Sequence, residues 1–159
     1  MELQDKVQKL LPLKSELNKP LFMHARTSST EKGTATPSAH IFETDQMLPA
    51  AGQGALGIET RSDRSDVQQA LAHLSHHTSW LAVAAERAVS RAMGGSCSMP
   101  LAAHATLQGE QLHLRAAWGD PEGDAHLVTA QVFGVVGSLE QAEALGLEVA
   151  QALRAGGAR

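Results

Sequence analysis

Residues 85–107, AERAVSRAMGGSCSMPLAAHATL, set the architecture of this chain, because they change from a helical to a strand pattern across one short loop. In the first half, small and apolar residues recur at the three- and four-residue spacing of one helix face. Gly94 and Gly95 then supply the left-handed conformation that ends many helices. Beyond Pro100, apolar and polar residues alternate, as in a half-buried strand. The stretch therefore predicts a helix, a loop that carries Cys97, and a strand.

The flanking sequence extends this pattern into an α+β domain. Apolar stripes at helical spacing and stretches of period 2 follow one another, separated by turns rich in Gly, Asp and Pro. Two capping boxes, Ser65 with Gln68 and Ser138 with Gln141, mark helix starts. The predicted elements are a strand at 55–60, helices at 65–74, 79–93 and 138–155, and strands at 101–107, 112–116 and 126–132. This order predicts a small three-stranded antiparallel sheet packed with helices and preceded by a glycine-rich strand.

Residues 1–46 differ from the rest of the chain in composition and in the spacing of apolar residues. The spacing of its leucines permits an amphipathic helix, which Pro12 would kink or end. Residues 27–38 are rich in Ser and Thr without an apolar period, which favours a mobile loop. We therefore divide the chain into a divergent, poorly ordered N-terminal segment at 1–46, a glycine-rich strand and linker at 47–64, and an α+β domain at 65–159.

Composition excludes several classes of function. The 159 residues are 43% hydrophobic and 19% charged, which suits one globular domain with or without a poorly ordered segment. Thirteen Lys and Arg against 17 Asp and Glu give a net charge of −4, which argues against a nucleic-acid partner. No apolar run approaches the roughly 18 residues that span a bilayer, and charges interrupt the N-terminus where a secretion signal would lie. We expect a cytoplasmic protein that does not bind membranes.

Eight histidines raise a metal hypothesis that their spacing does not favour. Three lie together at the end of a predicted helix, namely His73, His76 and His77. No acidic or cysteine ligand stands at a recognisable spacing from them, so we interpret them as surface residues. Three more fall on the three predicted strands, namely His104, His113 and His126. They either cluster or occupy the open face of the sheet; we favour the open face and predict no metal site.

The glycine-rich stretch at 52–57, GQGALG, superficially matches a dinucleotide-binding fingerprint. In such a site the glycines follow a strand and open a helix, whereas here they precede or lie within the predicted strand. We interpret them instead as a hinge or as closely packed backbone whose N–H groups are available to an anion.

The single cysteine, Cys97, has two interpretations. It excludes an internal disulfide, and a lone cysteine in such a chain is most often a small buried apolar residue. Its neighbours at 94–98 are glycine and serine, which favours an accessible loop instead. The end of a helix disfavours a thiolate, so activation would need Arg87, Arg91 or an incoming electrophile. The residues predict a reachable thiol and leave its reactivity open.

Two stretches in order, LPAAGQGALGIETR at 48–61 and the stretch at 85–107, closely resemble the C-terminal part of porphobilinogen deaminase, also called hydroxymethylbilane synthase. The resemblance covers about residues 45–155 and implies that family's small antiparallel sheet flanked by helices. The family acts in tetrapyrrole (haem) biosynthesis. It joins four porphobilinogen molecules head to tail, with loss of ammonia, on a dipyrromethane primer held by a thioether to one cysteine.

The resemblance also implies roles for three residues. Cys97 matches the cysteine that carries the dipyrromethane, and a soft sulfur nucleophile suits addition to the methylene of a deaminated pyrrole. Gln53 and Gly54 match a Gln-Gly pair that lies near the cofactor in the family. The partners implied are porphobilinogen and linear pyrrole intermediates.

The resemblance covers only part of the family's enzyme, and the uncovered domains bear on whether this chain is active. The resemblance implies a three-domain enzyme whose first two domains carry the acidic residue that manages protons and most of the cations that bind substrate carboxylates. None of Asp45, Asp63 and Asp66 stands in the family's catalytic motif, so no catalytic residue is assigned. We expect a truncated family member that is inactive alone. The alternative is a noncatalytic binding or interaction domain that keeps the fold and associates with a separate chain supplying the missing domains.

Overall fold

The computed structural model describes residues 22–23, 40–96, 98–120 and 126–158. Two short strands, β1 (Phe22–Met23) and β2 (His40–Ile41), pair antiparallel. The elements that follow are α1 (Ser65–Ala72), α2 (His77–Ala92), β3 (Leu101–Gln108), β4 (Gln111–Trp118), β5 (Val128–Val135) and α3 (Leu139–Ala155). The predicted N-terminal helix and the Ser/Thr-rich run at 27–38 lie outside the described residues. In the described part of the chain, no helix is long and apolar enough to cross a membrane.

The second sheet is an antiparallel meander in the order β3-β4-β5. Gly109, at a φ of +61°, lies in the two-residue turn between β3 and β4 and supplies a conformation that residues with a Cβ rarely adopt. Alternate residues of β3 and β4 point to one face and are buried there, namely Ala103, Ala105, Leu112, Leu114 and Ala116. The period-2 prediction is thus confirmed, as is the α+β fold with a three-stranded sheet.

Helices α2 and α3 cover this buried face. In α2, four residues at the predicted helical spacing are buried, namely Leu81, Ala85, Ala88 and Val89. Helix α3 contributes a matching stripe of apolar residues to the same core, namely Ala142, Val149 and Leu153. The helices cross closely at Gly146, where an added Cβ would lie 2.6 Å from the Cβ of Ala88 and even closer to the carbonyl oxygen of Ala85. Only a glycine fits this crossing without moving a helix.

The glycine-rich segment at 55–60 is not a strand, and that prediction was wrong. Gly52 and Gly54, at φ values of +73° and +83°, form a turn, and the chain then runs irregularly to α1 with Leu56 and Ile58 exposed. A strand needs a neighbour to share its hydrogen bonds, and no strand in the described ranges pairs with this segment.

The two predicted capping boxes have opposite outcomes. At α3 the box is present: Ser138 Oγ accepts from the N–H of Gln141, and Gln141 Oε1 accepts from the N–H of Ser138. At α1 it is absent, because Ser65 is already helical and the Gln68 side chain donates to carbonyls of the preceding loop. Helix α1 also ends at Ala72, earlier than predicted, and none of its eight residues is buried.

The helix crossing gives a prediction about stability. Gly146→Ala should lower the free energy of unfolding by about 1–3 kcal/mol, because overpacking against a backbone carbonyl outweighs the higher helix propensity of alanine, worth about 1 kcal/mol. The matched control is Gly57→Ala, since an added Cβ there meets no atom within 4 Å. Urea denaturation of both variants measures the difference; a Gly146 variant as stable as the parent would contradict the close crossing.

Candidate functional site

The loop between α2 and β3 begins with a tight helix ending. The N–H of Gly95 donates to the carbonyl of Ser90 at 2.8 Å, and that of Gly94 donates to the carbonyl of Arg91 at 3.2 Å. These two bonds and the positive φ of Gly94, +118°, form a Schellman motif. The predicted function of the glycine pair in ending the helix is therefore confirmed.

The residues around position 97 are exposed, while Cys97 itself lies outside the described residues. The hydroxyls of Ser96 and Ser98 lie 2.8 Å apart, and Ser96 Oγ also accepts from the N–H of Ser98. Beside Gly95, an ideal Cβ would meet no heavy atom within 4 Å. The loop on both sides of Cys97 is thus open to solvent.

Gln53 and Gly54 are exposed and lie in the turn at 51–54, where the glycine-rich stretch begins. The N–H of Gln53 donates to the carbonyl of Ala50 at 2.9 Å, and Gln53 Oε1 accepts from the N–H of Ala50 at 3.0 Å. The side-chain oxygen of Gln53 is therefore engaged within the turn. Its amide nitrogen has no partner among the described residues.

A buried carboxylate, Glu86 of α2, connects this turn to the sheet. This residue is buried in the core, at 6% exposure. Glu86 Oε2 accepts from the N–H of Gly52 at 2.7 Å, and Oε1 accepts from the N–H of Ala105 at 2.7 Å. Sequence reasoning missed this residue, because a glutamate among Ala and Arg on a helix carries no signal of burial.

Burial shapes the titration of this carboxylate and of its histidine neighbour. Desolvation raises the pKa of Glu86, and the two backbone N–H groups oppose the rise. His104 Nδ1 lies 3.7 Å from Glu86 Oε1. Burial lowers the pKa of His104, and the nearby charges of Arg115 and His113 lower it further. His104 is therefore neutral at pH 7, so this pair is not an ion pair there.

The remaining predicted histidines are spread over the surface. His104 and His113 lie on the outer face of the sheet, as predicted, and the ring of His113 stacks on Phe133 with centroids 3.9 Å apart. His126 was predicted to lie on the third strand, but β5 begins at Val128, so His126 precedes it and is exposed. His73, His76 and His77 are exposed around the α1–α2 connection. Among the described residues, no three His, Cys, Asp or Glu side chains are grouped to bind a metal ion.

The arginines of the described residues are mostly engaged. Three bond to carboxylates of this chain, in the pairs Arg61–Asp63, Arg64–Asp66 and Arg91–Glu143. Arg115 donates to Thr44 and Arg154 to the carbonyl of Ala92. In the described ranges, Arg87 is the one arginine without a polar contact. Few cations therefore remain for an anionic ligand.

The shifted histidine predicts a pH dependence of stability. Because the folded state binds a proton at His104 less readily than the unfolded chain, stability falls as pH drops through the ordinary histidine pKa of about 6.5. His104→Gln should reduce the loss of stability between pH 7 and pH 5, by less than about 1.4 kcal/mol per pH unit. Urea denaturation at both pH values measures it, with exposed His77→Gln as the control. An unchanged pH dependence in the His104 variant would contradict the assignment.

Comparison with known proteins supplies two family models and a set of relatives. Residues 80–155 match the model of the C-terminal domain of porphobilinogen deaminase, and residues 25–69 match the model of its dipyrromethane cofactor binding domain. The second match begins earlier in the chain than the resemblance at about residue 45, so part of the segment at 1–46 also belongs to it.

The relatives are proteins named porphobilinogen deaminase. That of Albidiferax ferrireducens is 65% identical over 114 residues, which are 72% of this chain and 36% of the relative. That of Paraburkholderia phytofirmans is 51% identical over 118 residues, 74% of this chain and 34% of the relative. That of Burkholderia mallei is 48% identical over 127 residues, 80% of this chain and 38% of the relative.

The chain thus spans about a third of the length of the curated relatives it matches. The two domain models and the relatives agree with each other and with the α+β fold. This chain belongs to the porphobilinogen deaminase family.

Proposed function

We propose that this chain is the cofactor-anchoring part of a hydroxymethylbilane synthase, a cytoplasmic transferase of tetrapyrrole biosynthesis, and that Cys97 holds a dipyrromethane primer as a thioether. The main support is that the residues on both sides of Cys97 in the sequence, Gly94–Ser96 and Ser98, are exposed and follow a helix that a glycine pair ends. Porphobilinogen and linear pyrrole intermediates would be its ligands.

The loop suits a bulky covalent group. Gly94–Ser96 and Ser98 are exposed, and open space lies beside Gly95. The Schellman motif fixes where the loop leaves α2, and Leu101 begins β3 only a few residues later. A group attached to the loop between the end of α2 and the start of β3 would be held at both ends of the loop and would have room to extend into solvent.

The chemical step of attachment needs only the thiol and the amine, whereas holding the pyrrole beside the sulfur needs binding contacts from the protein. The bond between the Cys97 sulfur and the methylene carbon of porphobilinogen forms as the carbon–nitrogen bond breaks, and the thiol proton leaves with the amine as ammonia. No oxidant or reductant takes part. Because the end of α2 disfavours a thiolate, the reactivity of the pyrrole methylene drives the step. When bound, the dipyrromethane supplies the end to which further pyrrole units are added.

Gln53 and Gly54 are proposed to contact the primer. The Gln53 amide nitrogen offers two N–H donors while its oxygen is held by Ala50, and carboxylates of the primer are suitable acceptors. Gly54 has no Cβ, so a ligand can approach its backbone closely. This would give the turn a binding role and no part in proton transfer.

The whole reaction needs groups that the described residues do not provide. Pyrrole intermediates carry many carboxylates, which cations normally bind, and most arginines here are already bonded within the chain. We therefore propose that the remaining cations and the proton-transfer group lie in family domains beyond this sequence, on the same or a separate chain. A purely noncatalytic interaction domain is the second candidate, and the exposed Leu56 and Ile58 favour it as a contact surface.

The attachment is tested by mass spectrometry. After incubation with porphobilinogen, the intact chain should gain at least the mass of one porphobilinogen less ammonia, which is the first unit of the dipyrromethane, and peptide mapping should place it on Cys97. Cys97→Ala should gain nothing, whereas Ser96→Ala, which alters the same loop, should still be modified. An unmodified Cys97 in a folded chain would contradict the proposal and favour the interaction domain.

Measuring how much porphobilinogen the chain consumes distinguishes anchoring of a primer from catalytic turnover. This chain alone should not consume porphobilinogen beyond the amount bound, because the cations and the proton-transfer group are missing. Following porphobilinogen loss over many equivalents, with a full-length family enzyme as the positive control, measures this. Sustained consumption that Cys97→Ala abolishes would contradict the proposed division.

A further inference from the structure

Glu86 has no part in the proposed chemistry, yet its burial is costly. A carboxylate taken out of water loses hydration, and here the cost is offset by two short bonds from backbone N–H groups. The raised pKa of Glu86 reflects the same burial. The two hydrogen bonds that the carboxylate accepts therefore explain why it is kept at a buried position.

The two bonds join three separate segments. Glu86 lies in the middle of α2, Gly52 in the turn at 51–54, and Ala105 on the edge of β3. Two further contacts hold the turn segment beside β3 and α2. The N–H of Ala103 donates to the carbonyl of Pro49 at 3.0 Å, and an ideal Cβ on Gly52 would lie 3.9 Å from Val83.

The Glu86 carboxylate can accept hydrogen bonds from the N–H groups of Gly52 and Ala105 at the same time. Each N–H needs an acceptor, and the two Glu86 oxygens supply one each. The amide of a glutamine has one oxygen and would turn a donor toward the other N–H. An apolar residue would leave both N–H groups buried without partners.

The connected segments are those that carry the proposed cofactor residues. Helix α2 leads directly into the loop with Cys97, β3 starts at the other end of that loop, and the turn carries Gln53 and Gly54. We propose that Glu86 is a positioning residue that fixes the turn to α2 and β3, and so holds Gln53 and Gly54 in one place relative to the two elements that flank Cys97 in the sequence. The second half of this proposal depends on the proposed function.

Amide hydrogen exchange tests the connection without any ligand. In the unsubstituted chain, the N–H groups of Gly52 and Ala105 should exchange as slowly as the core. In Glu86→Gln the N–H that loses its acceptor, that of Gly52 or that of Ala105, should exchange at least about tenfold faster, because one hydrogen bond is lost. The control is Glu143→Gln in α3, which breaks the exposed ion pair with Arg91 of α2. It should leave the exchange rate of the Gly52 N–H unchanged. Fast exchange at Gly52 in the unsubstituted chain would overturn the connection, even if the Glu86 variant does not fold.

Two rates on the folded Glu86→Gln variant test the positioning. Attachment of porphobilinogen at Cys97 should slow about tenfold or more, while alkylation of Cys97 by iodoacetamide should keep its rate, since the loop itself is unaltered. Equal attachment rates in the variant and in the unsubstituted chain would overturn the positioning role. If the unsubstituted chain attaches no porphobilinogen, the proposed function fails, and hydrogen exchange at Gly52 still decides whether Glu86 holds the turn.

Discussion

The two hydrogen bonds that the Glu86 carboxylate accepts hold the glycine-rich turn, α2 and β3 together. It accepts from Gly52 and Ala105, and so brings the glycine-rich turn, α2 and the edge of β3 to one point. The same edge is also occupied by the Pro49 carbonyl through the N–H of Ala103. An exposed sheet edge invites pairing with other chains, and a carboxylate with a crossing loop satisfies its N–H groups instead. The edge of β3 is thus closed by irregular chain.

A second constraint is the closeness of α2 and α3. Gly146 lets α3 approach the backbone of α2 at Ala85, which stands next to Glu86 in the sequence. The two sides of α2 are therefore held differently: one by tight packing against α3, the other by hydrogen bonds to the turn and to β3. A helix held on both sides gives the loop after it a fixed starting point, although the loop itself is exposed. Functional residues often lie on such loops, which a rigid scaffold positions.

Patterns with a period were readable from the sequence, and single polar contacts were not. The alternation at 101–107 and the stripe from Leu81 to Val89 report which face meets the core, so they predicted the sheet and both long helices. The capping box at Ser138 is local chemistry and was also readable. Residues 55–60 look like a strand by composition, but a strand also depends on a neighbour, which composition does not reveal. Glu86 was missed for the same reason, because its partners are 34 and 19 residues away.

Anchoring a primer and extending it make different demands on a protein, and the described residues suit only the first. Anchoring needs a nucleophile, space beside it and a firm base, which an exposed loop between α2 and β3 offers. Extension must neutralise many carboxylates and move protons at each step. The arginines here are mostly bonded to Asp, Glu and backbone oxygens of this chain, and using them for substrate would break those bonds. If Cys97 holds a primer, the charges for extension therefore have to come from groups other than the described residues.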